Sequence, residues 1–492
     1  MPLHTLSYDR CVILTRLGAQ RGLERNDTSD GVACSEPRRT SEPPSRECTA
    51  SARLIRLATV LRIAFLALIV AMPARAQTPN TSQGHEAHDT PEVPRDASSP
   101  AQEPTQWTLG LDGVAFATFN KQGGPRGATE FGSQNWAMAM GMRRFGRGLF
   151  AVTGMVSAEP LTTPPGGSAE LLQVGETYHG LPIIDQQHPH DLLMQISAAW
   201  RVPLGRRLSL TVAAAPRGDA ALGPVAFMHR QSSAENPTAP LSHHILDSTH
   251  IAGSVVLAGL TAGPATIETS WFRGREPDEH RYDLEIGRPD SWSVRGWFRP
   301  SRAWTVQASH GMLHEPEPQE PGDQRRTNAS ISWLRDRGSH VTAVTVAAGR
   351  NVRRFSTVHA LLVEATERVG RTAVYTRIED LTTETEILLF PGVVHRPHPG
   401  ELVDPVRTVT AGALRDVATI RGAAVGLGAD LTIYALPLLL QYTHTAHPVS
   451  FHVFLRIRPP AHGVRMWNMT MGHIGAEHTA MNEHDVMQHD DR

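Results

Sequence analysis

Ser450-Phe451-His452-Val453-Phe454-Leu455-Arg456-Ile457-Arg458 sets Phe451, Val453, Leu455 and Ile457 on one side of an extended chain and Ser450, His452, Arg456 and Arg458 on the other. Successive side chains of a strand point to opposite faces, so one face is apolar while the other carries two guanidinium groups and an imidazole. The same period of two recurs upstream. Leu208, Leu210, Val212 and Ala214 alternate with Ser209, Thr211 and Ala213, and Trp292, Val294 and Phe298 with Ser293, Arg295, Trp297 and Arg299. Segments around Trp304–Ser309, Asn328–Trp333 and Thr372–Glu379 behave alike. Many run for about nine to eleven residues, the length of a tilted membrane strand.

Tight links such as 203–206, 259–264, 299–302, 335–339 and 369–371 alternate with long polar ones at 159–189, 216–246, 274–290, 314–326 and 380–405. Short turns on one side and long loops on the other are what an up-and-down barrel requires. The expected fold is therefore all-β, a transmembrane antiparallel barrel of about 14–18 strands over residues 107–458. A soluble sandwich or propeller would alternate too. Against it stand the Arg, Glu and His on the polar faces, the low aromatic content of 6% and the absence of a blade-length repeat. Trp107, Trp136, Trp200, Trp271, Trp292, Trp304 and Trp333 are expected in interfacial girdles.

The composition agrees. With 20% charged and 40% hydrophobic residues the chain is no helical membrane bundle, and a net charge of −2 offers nothing to nucleic acid. Cys11, Cys34 and Cys48 all precede residue 50, so the remainder has neither disulfide nor thiolate site. Between Arg53 and Gln77 a basic n-region, the apolar run Ile63–Met72, Pro73 and Ala74-Arg75-Ala76 form a secretory signal peptide with its cleavage site. The run is about half the roughly 20 residues that span a bilayer. Residues 1–50 read as a non-structural extension with a true start nearer Ser51, 51–76 as the signal peptide, 77–106 as a disordered leader containing His85 and His88, and 459–492 as a disordered tail.

Histidine, at 25 residues, is abundant and clustered. His188 and His190 flank Pro189 in one long loop, and His243, His244, Asp247 and His250 crowd the next. Imidazoles and carboxylates on neighbouring loops suit zinc or Cu(II), although they would equally hydrogen-bond inward-folded loops. The tail adds Met466, Met469, Met471, His473, His478, Met481, His484, Met487 and His489. Thioethers are soft ligands favouring Cu(I), and so polar a segment has too few apolar neighbours for its methionines to pack in a core. Copper, as Cu(I) or Cu(II), is the expected ion, with no cofactor required. Ser309-His310 and Ser339-His340 are strand neighbours facing opposite ways, so neither makes a nucleophile and its base, and no enzyme is expected.

The stretches HGLPIIDQQHPHDLLMQISAAW, SHHILDSTHIAGSVVLAG, GREPDEHRYD and VSFHVFLRIR resemble a family of proteobacterial outer-membrane β-barrels. The resemblance spans residues 107–458 and implies the Gram-negative outer membrane. It also implies a connection to copper and heavy-metal resistance systems, hence metal ions and periplasmic metal-handling proteins as partners beside the membrane lipid. No catalytic residues come with it, and the Met/His tail extends past the family's usual ending. Two functional expectations follow: a barrel that binds or passes copper-class ions, and a general porin or structural surface barrel whose histidine loops merely plug the lumen.

Overall fold

A computed structural model of the chain describes residues 106–459 and 469–474. The expected extension, signal peptide and leader lie outside the described residues, as do Met466, His478, Met481, His484, Met487 and His489.

The strands follow the alternation. They are β1 (Thr108–Lys121), β2 (Thr129–Gly132), β3 (Asn135–Phe145), β4 (Gly148–Val156), β5 (Ser168–Tyr178), β6 (Leu181–Gln187) and β7 (Leu193–Pro203). Next come β8 (Leu208–Gly218), β9 (Ala252–Ala262), β10 (Ala265–Arg273), β11 (Ser291–Ser301), β12 (Trp304–Leu313) and β13 (Gln324–Asp336). The last are β14 (His340–Val352), β15 (Thr357–Val369), β16 (Thr372–Glu384), β17 (Val403–Ile420), β18 (Ala423–Ala435) and β19 (Val449–Arg458).

Setting aside β2, a short strand laid on the end of β1, and the separate β5–β6 hairpin, sixteen strands form one antiparallel meander. The sheet closes because β1 pairs with β3 through Thr108–Ala115 and with β19 through Ala115–Lys121. Closure leaves no unpaired edge among these strands, the condition for a sheet to exist in hydrocarbon. Turns such as Arg421-Gly422 and Gly370-Arg371 are confined to one end, and the links 157–192, 219–251, 274–290 and 385–402 to the other.

Polarity is inside out. Outward positions are Val256, Ile267, Trp271, Val294, Phe298, Leu361, Val374, Ile378, Val409, Leu431 and Val453, all exposed. Inward positions are Ser270, Ser293, Arg295, Glu364, Arg377, Glu379, Thr408, Asp430 and Arg456, all buried. A soluble barrel would place the apolar set inside, so this distribution decides for lipid outside. Trp107, Trp271, Trp292 and Trp304 are exposed as girdle residues should be. Trp136 departs from that expectation: it is in phase with the inward residues of β3, and its ring packs 4.9 Å from the His229 ring.

The inward charges are buried because two long connections fold into the barrel. Residues 219–251 reach wall positions on many strands. Ala221 N–H donates to Ser270 on β10, Gly223 N–H to Ser309 on β12, and Ser232 Oγ to Thr345 on β14. Ser242 N–H donates to Glu379 on β16, and Arg458 on β19 donates to the Ala234 carbonyl. The β5–β6 hairpin is held to β1, where Asn120 Nδ2 donates to the Ala169 carbonyl at 2.6 Å. The described tail segment, 469–474, is also inside. Met469, Met471 and Ile474 are buried in an apolar cluster with β3, β4, β7 and β9, which corrects the expectation that tail methionines find no core.

Guanidinium–carboxylate pairs join plug to wall. Arg230 Nε donates to Glu364 Oε2 at 2.9 Å and its Nη1 to Asp247 Oδ2 at 2.5 Å, while Arg377 Nε donates to Glu364 Oε1 at 3.0 Å. Removing one partner of a buried pair strands the others' charge, at about 3–5 kcal/mol. Arg230→Leu is accordingly expected to free the 219–251 segment while the barrel persists. Limited proteolysis of the refolded protein reads this as a new cleavage within 219–251, with the heat-modifiable shift of the barrel retained.

Candidate functional site

The sequence clusters meet in the lumen. His188 and His190 follow β6, His243 and His244 open a one-turn helix at His243–Leu246, and His250 lies in the 3-10 turn before β9. The ring centroids form a closed circuit: His188 to His244 5.3 Å, His244 to His243 5.4 Å, His243 to His250 5.2 Å, His250 to His190 5.7 Å and His190 to His188 6.5 Å. Phe227 packs on His190, His243 and His250 at 5.2–6.4 Å and closes one side with an apolar face.

Three of the five imidazoles are held from behind by short hydrogen bonds. His243 Nδ1 lies 2.6 Å from Asp247 Oδ1, His190 Nδ1 2.9 Å from Glu159 Oε2, and His250 Nδ1 2.8 Å from the Asp247 carbonyl. Such acceptors fix each ring with its proton on Nδ1 and leave Nε2 as the lone-pair atom. The Nε2 atoms of His190, His244 and His250 are buried with no hydrogen-bond partner. His188 Nδ1 lies 3.0 Å from Glu176, and His244 Nδ1 3.4 Å from Glu276. Burial holds the His188 and His250 imidazoles well below the ordinary histidine range, and neighbouring imidazoles deepen the shift. Both rings are neutral at pH 7 and so available as ligands.

The local chain conformation serves this packing. Leu172, Glu176, His179 and Asp185 in and beside the β5–β6 hairpin all have positive φ, between 53° and 69°, costly for residues other than glycine and tolerated where surroundings over-determine them. Gly175 lies so close to the His244 ring that a Cβ there would sit 2.3 Å from Cε1. Arg281, in the GREPDEHRYD stretch, is buried and binds Glu176 at 2.5 Å and Asp191 at 3.4 Å, tying a third loop into the assembly.

Two imidazoles on one ion, with nitrogens about 2.0–2.1 Å from the metal, stand roughly 5 Å apart centroid to centroid at tetrahedral angles. Four of the five circuit edges are near that value. A pentagon of such edges has a radius of about 4.8 Å, larger than the roughly 3.2 Å that ligation requires. One ion therefore takes three or four of these rings rather than all five.

Asp247, expected as a ligand, instead commits one oxygen to His243 and the other to Arg230, and positions the ring. His473 lies apart, beside Arg299 and 5.2 Å from the Trp297 ring. Glu159, Glu176, Glu276 and Phe227 were missed; Glu276 was visible in its motif, but nothing in the sequence places Glu159 behind His190. Two further groupings meet metal-ligand spacing among the described residues: His244 with Glu276 and Glu317, adjoining the ring, and Glu320 with His395 and Glu401.

No family model matches the chain, and none of the curated proteins is similar to it. Among solved structures, OprB of Pseudomonas putida is similar with 8% identity and a TM-score of 0.45, covering 72% of this chain and 94% of that one. The loop L8 deletion mutant of OmpT, an outer membrane protein of Vibrio cholerae, has 10% identity and a TM-score of 0.41 over 71% and 99%. OmpF of Salmonella typhi, solved with daunomycin, has 12% identity and a TM-score of 0.41 over 70% and 97%. These likenesses are of barrel to barrel. The closed strand ladder and inverted polarity stand on the chain's own residues, and they make the protein a membrane-spanning β-barrel.

Inward-folded loops restrict what passes. In planar bilayers the intact protein is expected to conduct several-fold less than a variant in which residues 225–245 are replaced by a short Gly/Ser linker. Equal conductance of the two would mean that the plug leaves the pathway open.

Proposed function

We propose that the protein binds copper-class transition-metal ions inside the lumen and passes them through the outer membrane or retains them there. The observation that carries this reading is the closed circuit of five imidazoles, three of them with buried Nε2 atoms lacking any partner. Burying an unsatisfied polar atom costs about 1–3 kcal/mol, so three at one centre is an expensive arrangement for a plug that needs only to fill space. Neutral imidazole with a carboxylate or carbonyl behind it is the donor set of Cu(II) and Zn(II), the ions at the top of the divalent affinity order. Periplasmic metal-handling proteins are the partners such cargo calls for.

A second reading, a small-solute porin, rests on the sixteen-strand closed barrel. It needs the plug to move and assigns the histidines no ligand.

Titration of the refolded full-length secreted chain with Cu(II) and Zn(II) separates the two. The reading expects tight binding, weakened 10-fold or more in a His243→Ala/His250→Ala variant that keeps its heat-modifiable barrel. Gly175→Ala, which forces the His244 ring aside, is expected to weaken binding as well. Unchanged affinity in both variants would leave the porin reading standing.

A further inference from the structure

Beside the imidazole circuit the inner wall changes character. Elsewhere its inward positions mix Ser, Thr, Asn, Arg and Glu with apolar residues such as Leu362, Leu414, Tyr375 and Phe454, but carry no methionine among the described residues, whereas β3 presents Met138, Met140 and Met142, β4 Met155 and β7 Met194. The plug contributes Met228, and the tail segment brings Met469 and Met471. Of the nine methionines among the described residues, eight belong to this one cluster and only Met312 lies elsewhere. Packing alone does not select so: leucine and isoleucine fill a core with better-defined rotamers, and methionine's distinguishing property is a polarizable sulfur.

The cluster borders a cavity of about 30 Å³ whose lining includes Met155, Met194, Met469 and Met471, together with His229, His250 and the carboxylate Asp219, which is paired with Arg295. That is room for about two waters or one dehydrated ion. Both histidines line this cavity, and each has a buried nitrogen without a hydrogen-bond partner, Nδ1 of His229 and Nε2 of His250. Burial pushes the His229 imidazole down to about 4, so it is an uncharged donor at pH 7. His250 also belongs to the imidazole circuit and its single Nε2 lone pair serves one ion, so His229 is the imidazole donor assigned to this cavity.

We propose that this thioether-lined cavity is a second site, taking a soft monovalent cation of the Cu(I) or Ag(I) class. Thioether sulfur with an imidazole is a soft donor set that stabilises a monovalent d10 ion and serves a hard ion poorly, while the Asp219 carboxylate at the cavity edge is engaged by Arg295. The tail segment contributes Met469 and Met471 to the lining, alongside the wall methionines. The inference deepens the metal reading by naming an ion class for a different set of ligands, and it fails or stands separately from the imidazole circuit.

The test uses Ag(I), which has no accessible redox chemistry, on the full-length secreted protein in detergent. Silver K-edge absorption is expected to show sulfur scatterers. Met155→Leu/Met194→Leu/Met471→Leu, which conserves volume and apolar character, is expected to lower Ag(I) affinity 10-fold or more and to remove one equivalent of bound silver. The same variant keeps its Cu(II) affinity, whereas His243→Ala keeps Ag(I) binding and loses Cu(II). Wild-type Ag(I) affinity in the leucine variant, or a spectrum with nitrogen and oxygen scatterers alone, overturns the proposal. Because thermal loss of the heat-modifiable form monitors folding, a leucine variant that fails to fold is replaced by Met471→Leu alone, for which at least a several-fold loss is expected and wild-type affinity overturns the proposal.

Discussion

The Arg230 guanidinium, held between Glu364 on the wall and Asp247 on the plug, is the contact on which the interior depends. A barrel whose outside faces hydrocarbon must turn its polar residues inward, and a plugged lumen then excludes the water that would solvate them. Isolated charges in such a place cost many kcal/mol, so each must find a partner with good geometry. Arg230 meets that demand twice, and the carboxylate it shares with the plug also orients His243. One line of contacts thus runs from Arg377 through Glu364, Arg230 and Asp247 to an imidazole of the central circuit. Wall, plug and candidate ligand are not separable features. The same logic repeats at Glu235, which accepts from Arg368 at 2.5 Å and from Arg456, and at Asp191, bound by Arg217 at 2.7 Å.

The barrel was legible because its signal is local. Phe451, Val453, Leu455 and Ile457 against His452, Arg456 and Arg458 state both the period and the inverted polarity within nine residues, and the short-turn, long-loop rhythm states the topology. Glu364 and Glu379 lie on the polar faces of their strands, and both bind the plug. The histidines were legible as a composition and as two loop clusters, since imidazole-rich loops that converge need only be long enough to reach. What could not be read was which atoms face the centre. Asp247 is a ligand by composition and a support by geometry, a distinction created by Arg230, seventeen positions away, and by Glu364, farther still.

The methionines show the opposite failure. Met138, Met140 and Met142 alternate in plain view, but an apolar residue every second position is what a lipid-facing strand shows as well, and only the register of β3 against β1 and β4 sets them inward. Met469 and Met471 seemed to lack a core because the tail was judged by its own neighbours in sequence. Their core is supplied by strands more than two hundred residues earlier.

Glu235 and Arg456 are 221 positions apart, and Arg456 lies on the strand that seals the sheet against β1. The contact therefore sets an order of events in assembly. Loop-closure entropy must be met before a pair of such separation can form, so the 219–251 segment gains this anchor only when the last strand has docked. A chain still crossing the periplasm carries all its histidines yet has no assembled circuit of them. The arrangement of rings proposed above to hold an ion thus arises together with insertion into the membrane, and the polypeptide in transit does not yet have it.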